Sequence, residues 1–259
     1  MINNSKQLFL FDVDGTITES GQKMNKDHII YLNSLEQNNN IEIGIVGGGT
    51  LNKILWQTEG VNFDHYFTEC GCVYNKYLKS NLESSNKLES IYSKDIRSHY
   101  LYSKINQLVK VALNYLSQVD YELTGNFIDL RTGIIYISLI GLYANEKERA
   151  NFIEANNKFD YRKKLFKLLI EKSLELNIYN KVHIVYGGSV GIAVYPSECD
   201  KVQIMDVIND YNYSEIHYFG DKYLCDGNDY MLINHSGVIG HSVNTVDETF
   251  YFLKNIMKN

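Results

Sequence analysis

Leu8 to Phe11, the apolar start of LFLFDVDGTIT, run without interruption into two carboxylates, Asp12 and Asp14, and then Gly15 and Thr16. Uninterrupted apolar sequence is what a parallel strand buried on both faces requires, and ligands of an open α/β sheet sit beyond the carboxyl ends of its strands. In extended chain the i, i+2 spacing points both acids the same way, where like charges repel. A hard divalent cation removes that repulsion. Mg2+ takes one or two carboxylates together with water and phosphate oxygens, so the pattern points to phosphoryl transfer. Gly15 lets the backbone turn closely around a ligand, and the Thr16 hydroxyl can hold the loop or a phosphate oxygen. A strand end capped by acidic turn residues is the plainer alternative, and the glycine turn at Gly47 to Thr50 and the acids Asp221 and Asp229 weigh against it.

With 259 residues, 44% of them hydrophobic, the chain can bury a large core in one domain or two. A net charge of -6 argues against nucleic acid as the main partner. Cys70, Cys72, Cys199 and Cys225 form no CxxC pair and no dense framework, which fits a reduced, cytoplasmic setting. No segment reads as a signal or a membrane span, so no membrane is expected.

Taken in order, Asn25 is placed to cap a helix that puts Ile29, Leu32 and Leu35 on one face. A strand from Glu42 to Val46 then meets Gly47, Gly48, Gly49 and Thr50 before a helix with Leu51, Ile54 and Leu55. Strand, glycine turn and helix place N–H groups at a helix start, an anion site, and the absence of a GK[ST] ending or a dinucleotide fingerprint excludes the nucleotide-loop readings. Residues 80–90 are polar and resemble a linker. A long helix follows (Leu101, Ile105, Leu108, Ala112, Leu116), then strands Phe127–Leu130 and Ile134–Ile137, helices over 145–155 and 160–176, and strands Val182–Tyr186 and Ile192–Tyr195. Helices among hairpin-like strands predict an α+β module inserted into the first domain. The expected fold is α/β: a Rossmann-like parallel-sheet core over 1–84 and 197–259, interrupted by an α+β cap over 85–196. The core resumes with a helix from Lys201 to Ile208 and a strand from Ile216 to Phe219 that ends at Asp221, with Asp229 nearby. If that strand lies beside the first, Asp221 joins Asp12 and Asp14 as a metal ligand with Asp229 in support, and the Lys201 ammonium can orient a carboxylate nucleophile.

These residues resemble the four motifs of the haloacid dehalogenase superfamily of phosphotransferases. More specifically, LFDVDGTIT with Gln22-Lys23, Glu69-Cys70-Gly71, GNFIDLRTG, Ile140-Gly141, Glu148-Arg149, Tyr186-Gly187-Gly188 and YFGDK resemble the eukaryotic-type phosphomannomutases over nearly the whole chain. The resemblance implies that Asp12 is the nucleophile, Asp14 the general acid and base, and Lys201 a third catalytic group. It also implies Mg2+ on Asp12, Asp14, Asp221 and Asp229, phosphate contacts at Thr50, Arg131 and Arg149, and a hexose 1,6-bisphosphate as activator. Mannose 6-phosphate and mannose 1-phosphate would be interconverted, feeding GDP-mannose synthesis, by a cytoplasmic homodimer paired through its caps. A Mg2+-dependent sugar-phosphate phosphatase is the alternative, and a non-catalytic relative a third.

The chain departs from that family's pattern. Gly21 and Leu142 stand where the family has arginines, Gly191 and Ala193 where a Ser and an Asp contact sugar hydroxyls, and Gly49 where the family has a Ser, which leaves Thr50 one place late. His235 falls where a second-ion loop carries an acid. Each charged contact to phosphate is worth roughly 1.5–3 kcal/mol, so recognition of the sugar phosphate is the altered property while the core chemistry is retained.

Overall fold

The computed structural model describes residues 6–36, 38–78, 87–225 and 227–258. Before the insertion the chain forms β1 (Gln7–Phe11), α1 (Lys26–Glu36), β2 (Ile41–Val46), α2 (Leu51–Gln57), β3 (His65–Thr68), β4 (Val73–Leu78) and β5 (Lys87–Ser93). There follow α3 (Tyr102–Leu116), β6 (Ile128–Leu130), β7 (Ile135–Ser138), α4 (Glu146–Phe159), α5 (Tyr161–Glu175), β8 (Val182–Gly187) and β9 (Gly191–Pro196). The chain ends with α6 (Met205–Ile208), β10 (Glu215–Gly220), α7 (Tyr230–Ile233), β11 (Ile239–Ser242) and α8 (Val246–Ile256). Two compact units result: Met1–Ser93 with Asp200–Asn259, and Lys94–Cys199.

In the first unit the sheet order is β11-β10-β1-β2-β3-β4-β5. β11, β10, β1, β2 and β3 are parallel, and β4 and β5 each run antiparallel to the strand before them. β1 is the middle one of the five parallel strands. Its alternate residues serve two cores: Phe9 and Phe11 pack with Leu32 of α1 and with Phe250 and Leu253 of α8, whereas Leu8 and Leu10 pack with Ile204 and Ile208. A strand clothed on both sides must be apolar throughout, which is why LFLF reads as it does.

The inserted unit carries an antiparallel sheet of order β6-β7-β9-β8. Ile135, Ile137, Ile184, Ile192 and Val194 turn to α3 and α5, meeting Ile105, Leu108, Leu165 and Leu169. Residues opposite one another in register share a face. Tyr136 is therefore grouped with Asp129 and Ala193, its partners on β6 and β9, on the face turned away from that core.

The second unit begins at Lys94, whereas the sequence reading drew the division at residue 85. β5, which is mostly exposed, is the edge strand of the first sheet. Its polar residues at the margin of a sheet read as linker, and the rest of that stretch, 80–86, lies outside the described residues. The stretch read as a single helix from Lys201 is a one-turn 3₁₀ helix, Lys201–Ile204, continued by α6.

Candidate active site

β1 and β10 pair in register, Phe11 opposite Phe219, and the Asp12 N–H donates to the Phe219 carbonyl at 2.9 Å. Adjacent parallel strands thus end level, one leading into Asp12 and the other into Asp221. Asp229 reaches the same place from the start of α7, its Oδ2 accepting from the Lys222 N–H at 2.9 Å. Lys201 joins the acids. It is fully buried, and its Nζ lies 2.5 Å from Asp12 Oδ1, 2.6 Å from Asp229 Oδ1 and 3.2 Å from the Tyr218 hydroxyl, which itself donates to Asp229 Oδ1.

Carboxylate oxygens of Asp12, Asp221 and Asp229 lie within 4.8 Å of one another. One buried ammonium does not balance three acids. Lys222 pairs with Asp221 Oδ2, but Asp221 Oδ1 is buried without a hydrogen-bond partner, as is Thr16 Oγ1. An unpaired buried carboxylate oxygen is costly, and oxygen donors of this kind are what a hard divalent cation takes. The residues fit such an ion. Gly15 is part of the fit: its φ is +87°, and a Cβ there would fall 2.6 Å from Asp221 Oδ2.

Asp14, expected among the ligands, lies outside this cluster. Its carboxylate is held elsewhere, by Lys53 Nζ at 2.6 Å, Gln57 Nε2 at 2.8 Å and the Gly21 N–H at 2.8 Å. Successive acids on one strand point alike only while the chain stays extended, and here it turns at once: the Gly15 N–H donates to the Thr18 carbonyl at 2.7 Å. Burial raises the Asp14 carboxyl, but Lys53, Gly21 and Gln57 outweigh it and leave the group below its ordinary value. Asp12 is the opposite case. Burial and its neighbours Asp229 and Asp221 push it up to about 7 despite Lys201. Burial also raises Asp221, against the pull of Lys222. Burial would strip the proton from Lys201, but Asp12 and Asp229 hold it on, well above the usual ammonium range. Two carboxyls two positions apart are thereby driven in opposite directions, Asp12 up and Asp14 down.

Thr50 caps α2, accepting from the Lys53 N–H at 3.5 Å. The sequence reading named Thr50 but missed Lys53 and Gln57, whose side chains reach Asp14. Their i, i+4 spacing on α2 was the available signal. Tyr218 was also missed, because an aromatic residue inside a core strand carries no sign that its hydroxyl will meet a lysine.

In the inserted unit, Arg131 Nε bonds Asp129 Oδ2 at 2.7 Å, and its guanidinium stands 4.9 Å from the centre of the Tyr136 ring. Arg149 Nε and Nη2 donate to the carbonyls of Ala144 and Leu142 at 2.9 and 3.1 Å. A third arginine that the sequence reading passed over, Arg162, holds the β8–β9 turn. It donates to the carbonyls of Ser189 at 3.1 Å and of Gly188 and Gly191 at 2.9 Å. Burial raises the Tyr136 hydroxyl, and Arg131, Arg162 and Arg149 all pull it back; of the three, Arg131 stands over its ring, whereas Arg162 stands 4.7 Å from the centre of the Tyr186 ring.

Residues 31–259 match the model of a family described as eukaryotic phosphomannomutase. A phosphomannomutase of Arabidopsis thaliana is 32% identical over 244 residues, covering 93% of this chain and 92% of that protein. One of Encephalitozoon cuniculi is 32% identical over 265 residues, covering 100% and 96%. Among solved structures, Plasmodium falciparum IMP-nucleotidase superposes with a TM-score of 0.66 at 16% identity, covering 99% of this chain and 69% of that one. The C-terminal domain of C. albicans trehalose-6-phosphate phosphatase gives 0.58 at 18% identity, over 90% and 77%. At such identity these two likenesses speak for the fold, an α/β core built on a parallel sheet, and for nothing finer.

Proposed function

The chain belongs to the eukaryotic phosphomannomutase family, and from this we propose that it interconverts mannose 6-phosphate and mannose 1-phosphate, with Asp12 as the phosphoryl acceptor and Asp14 as the proton carrier. The observation that carries the chemistry is the Asp12–Lys201–Asp229 arrangement beside Asp221. Lys201 engages Asp12 Oδ1, which leaves Oδ2 to attack phosphorus. The new bond is Oδ2–P, and the bond broken joins phosphorus to a sugar oxygen, which leaves with the proton of Asp14. In the return direction Asp14 takes the proton of the attacking sugar hydroxyl, and the Oδ2–P bond breaks. Lys53, Gln57 and the Gly21 N–H hold Asp14 between these tasks.

Asp12, Asp221 and Asp229 would hold Mg2+, which when bound neutralises phosphoryl oxygens and the surplus of carboxylate charge. Asp14, outside that cluster, is kept for proton transfer. Thr50 at the start of α2 is assigned a phosphate of the substrate, and Arg131 and Arg149 of the inserted unit are assigned the other. A hexose 1,6-bisphosphate primes the enzyme by phosphorylating Asp12. The product feeds GDP-mannose synthesis. A cytoplasmic setting is supported by four free cysteines and, among the described residues, by the lack of any helix long and apolar enough to cross a membrane. Pairing as a homodimer through the inserted unit is supported by the edge position of β6, with Leu130 exposed. Light scattering that gives a monomer at micromolar concentration would refute the pairing.

The activity is tested by incubating the protein with Mg2+ and mannose 1-phosphate, with and without glucose 1,6-bisphosphate, while following mannose 6-phosphate and free phosphate together. Activator-dependent mannose 6-phosphate that disappears in Asp12→Asn is expected. Free phosphate alone would replace the mutase by a phosphatase.

A further inference from the structure

Gly191 and Ala193 leave β9 without the polar side chains that the family pattern sets against the sugar, and the space over that strand is taken from β7. Tyr136 pairs in register with Ala193, and its hydroxyl donates to the Gly187 carbonyl at 2.9 Å. A Cβ built on Gly187 would fall 2.5 Å from the ring edge of Tyr136. A Cβ built on Gly191 would fall 2.3 Å from the Tyr136 hydroxyl oxygen and 2.7 Å from the Ile137 carbonyl. No side chain fits at position 191 while Tyr136 and the Ile137 carbonyl keep these places. A hydroxyl is nevertheless present at that spot, and it belongs to Tyr136.

We propose that Tyr136 is the sugar-selecting residue of the inserted unit, its phenolic oxygen taking over from β9 the hydrogen bond to a hydroxyl of the hexose ring. The inference rests on the mutase reading above and deepens it. Having given its proton to Gly187, the phenolic oxygen keeps acceptor capacity for a sugar O–H. Arg131 stands over the ring at 4.9 Å. A sugar phosphate held at Arg131, as proposed above, lies beside Tyr136. Arg162 ties the turn that carries Gly187 and Gly191, which fixes the depth at which the ring can lie. One hydroxyl replaces the two polar side chains of the family pattern, so discrimination between hexoses differing at a single ring carbon rests on one neutral hydrogen bond. Such a bond is worth about two- to tenfold.

The test is steady-state kinetics of the full chain with Mg2+ and activator, on mannose 1-phosphate and glucose 1-phosphate, for wild type, Tyr136→Phe and Gly187→Ala, with melting temperatures alongside. Tyr136→Phe keeps the ring and removes the oxygen. It is expected to lower kcat/KM for the preferred hexose two- to tenfold through KM, with kcat within twofold, and to bring the ratio of the two substrates closer to one by the same two- to tenfold. Gly187→Ala retains the oxygen but displaces the ring, and is expected to move the ratio as well. In Tyr136→Ala the added methyl of Gly187→Ala is expected to cost nothing further. An active wild type whose substrate ratio is unmoved by Tyr136→Phe and Gly187→Ala overturns the assignment of Tyr136 alone. A wild type that converts neither hexose overturns the mutase reading on which it rests.

Discussion

Asp12→Asn should abolish turnover yet stabilise the protein in the absence of divalent cations. With Asp12 pushed up to about 7 in the folded protein and near 3.9 when unfolded, the native state binds more protons between those values. Stability therefore falls as pH rises from about 4 to about 7, and the penalty is complete above it. Roughly three pKa units correspond to about 4 kcal/mol. Lys201 would lose one of its two carboxylate partners in Asp12→Asn, so the net gain at pH 8 is set at about 1–3 kcal/mol. For a chain of this size that is a rise of about 2–12 °C in melting temperature. The assay is a set of thermal melts of wild type and Asp12→Asn at pH 5 and pH 8, each with EDTA and with 10 mM Mg2+. Wild type should lose stability between pH 5 and pH 8 in EDTA and regain it with Mg2+ at pH 8, with little gain at pH 5. Asp12→Asn should show a shallower slope and a smaller response to Mg2+. A variant less stable than wild type at pH 8 in EDTA would refute the reasoning, since it would make the Asp12–Lys201 pair a net stabiliser despite its burial.

Lys201→Met leaves Asp12 and Asp229 buried without their shared cation, so a loss of about 3–5 kcal/mol is expected by denaturant titration at pH 8, accompanied by loss of activity. Gly15→Ala places a methyl against Asp221 Oδ2 at a φ of +87°; it should cost about 1–3 kcal/mol and weaken the Mg2+-induced rise in melting temperature. Lys53→Met breaks an ion pair in which both side chains are more than a third exposed, so stability should change by less than about 1 kcal/mol. Its kcat should fall at least tenfold, with partial rescue in Lys53→Arg, because Asp14 loses the contact that aims it.

The catalytic half of the molecule was legible because its chemistry sits where local sequence and topology coincide. An apolar run ending in Asp12 and another ending near Asp221 can be aligned only by pairing the two strands, and pairing parallel strands in register brings the carboxylates together. β3, β4 and β11 carry no such punctuation: HYFT is short, and VYNKYL mixes polar with apolar residues, so neither stood out as a strand. Side-chain direction was the other limit. The i, i+2 rule placed Asp14 with Asp12, but it holds only for extended chain, and the turn opened by Gly15 carries Asp14 to Lys53 and Gln57 instead. That choice depends on groups 39 and 43 residues away in the chain, which no local spacing encodes.

The inserted unit shows the same limit from the other side. Read one position at a time, Gly191 and Ala193 are losses against the pattern that the sequence resembles. Read as a sheet, they are the space into which Tyr136 fits. The ring occupies what a side chain on Gly187 or Gly191 would need, so these glycines and the tyrosine depend on one another for volume. β7 and β9 are far apart in sequence but adjacent in the sheet, and only that adjacency turns absent side chains on one strand into room for a side chain from the next. A polar side chain restored at position 191 alone would therefore meet the Tyr136 hydroxyl and the Ile137 carbonyl and disturb the unit before it could contact a sugar. Recovering the family's pattern here requires changing the strand next door first.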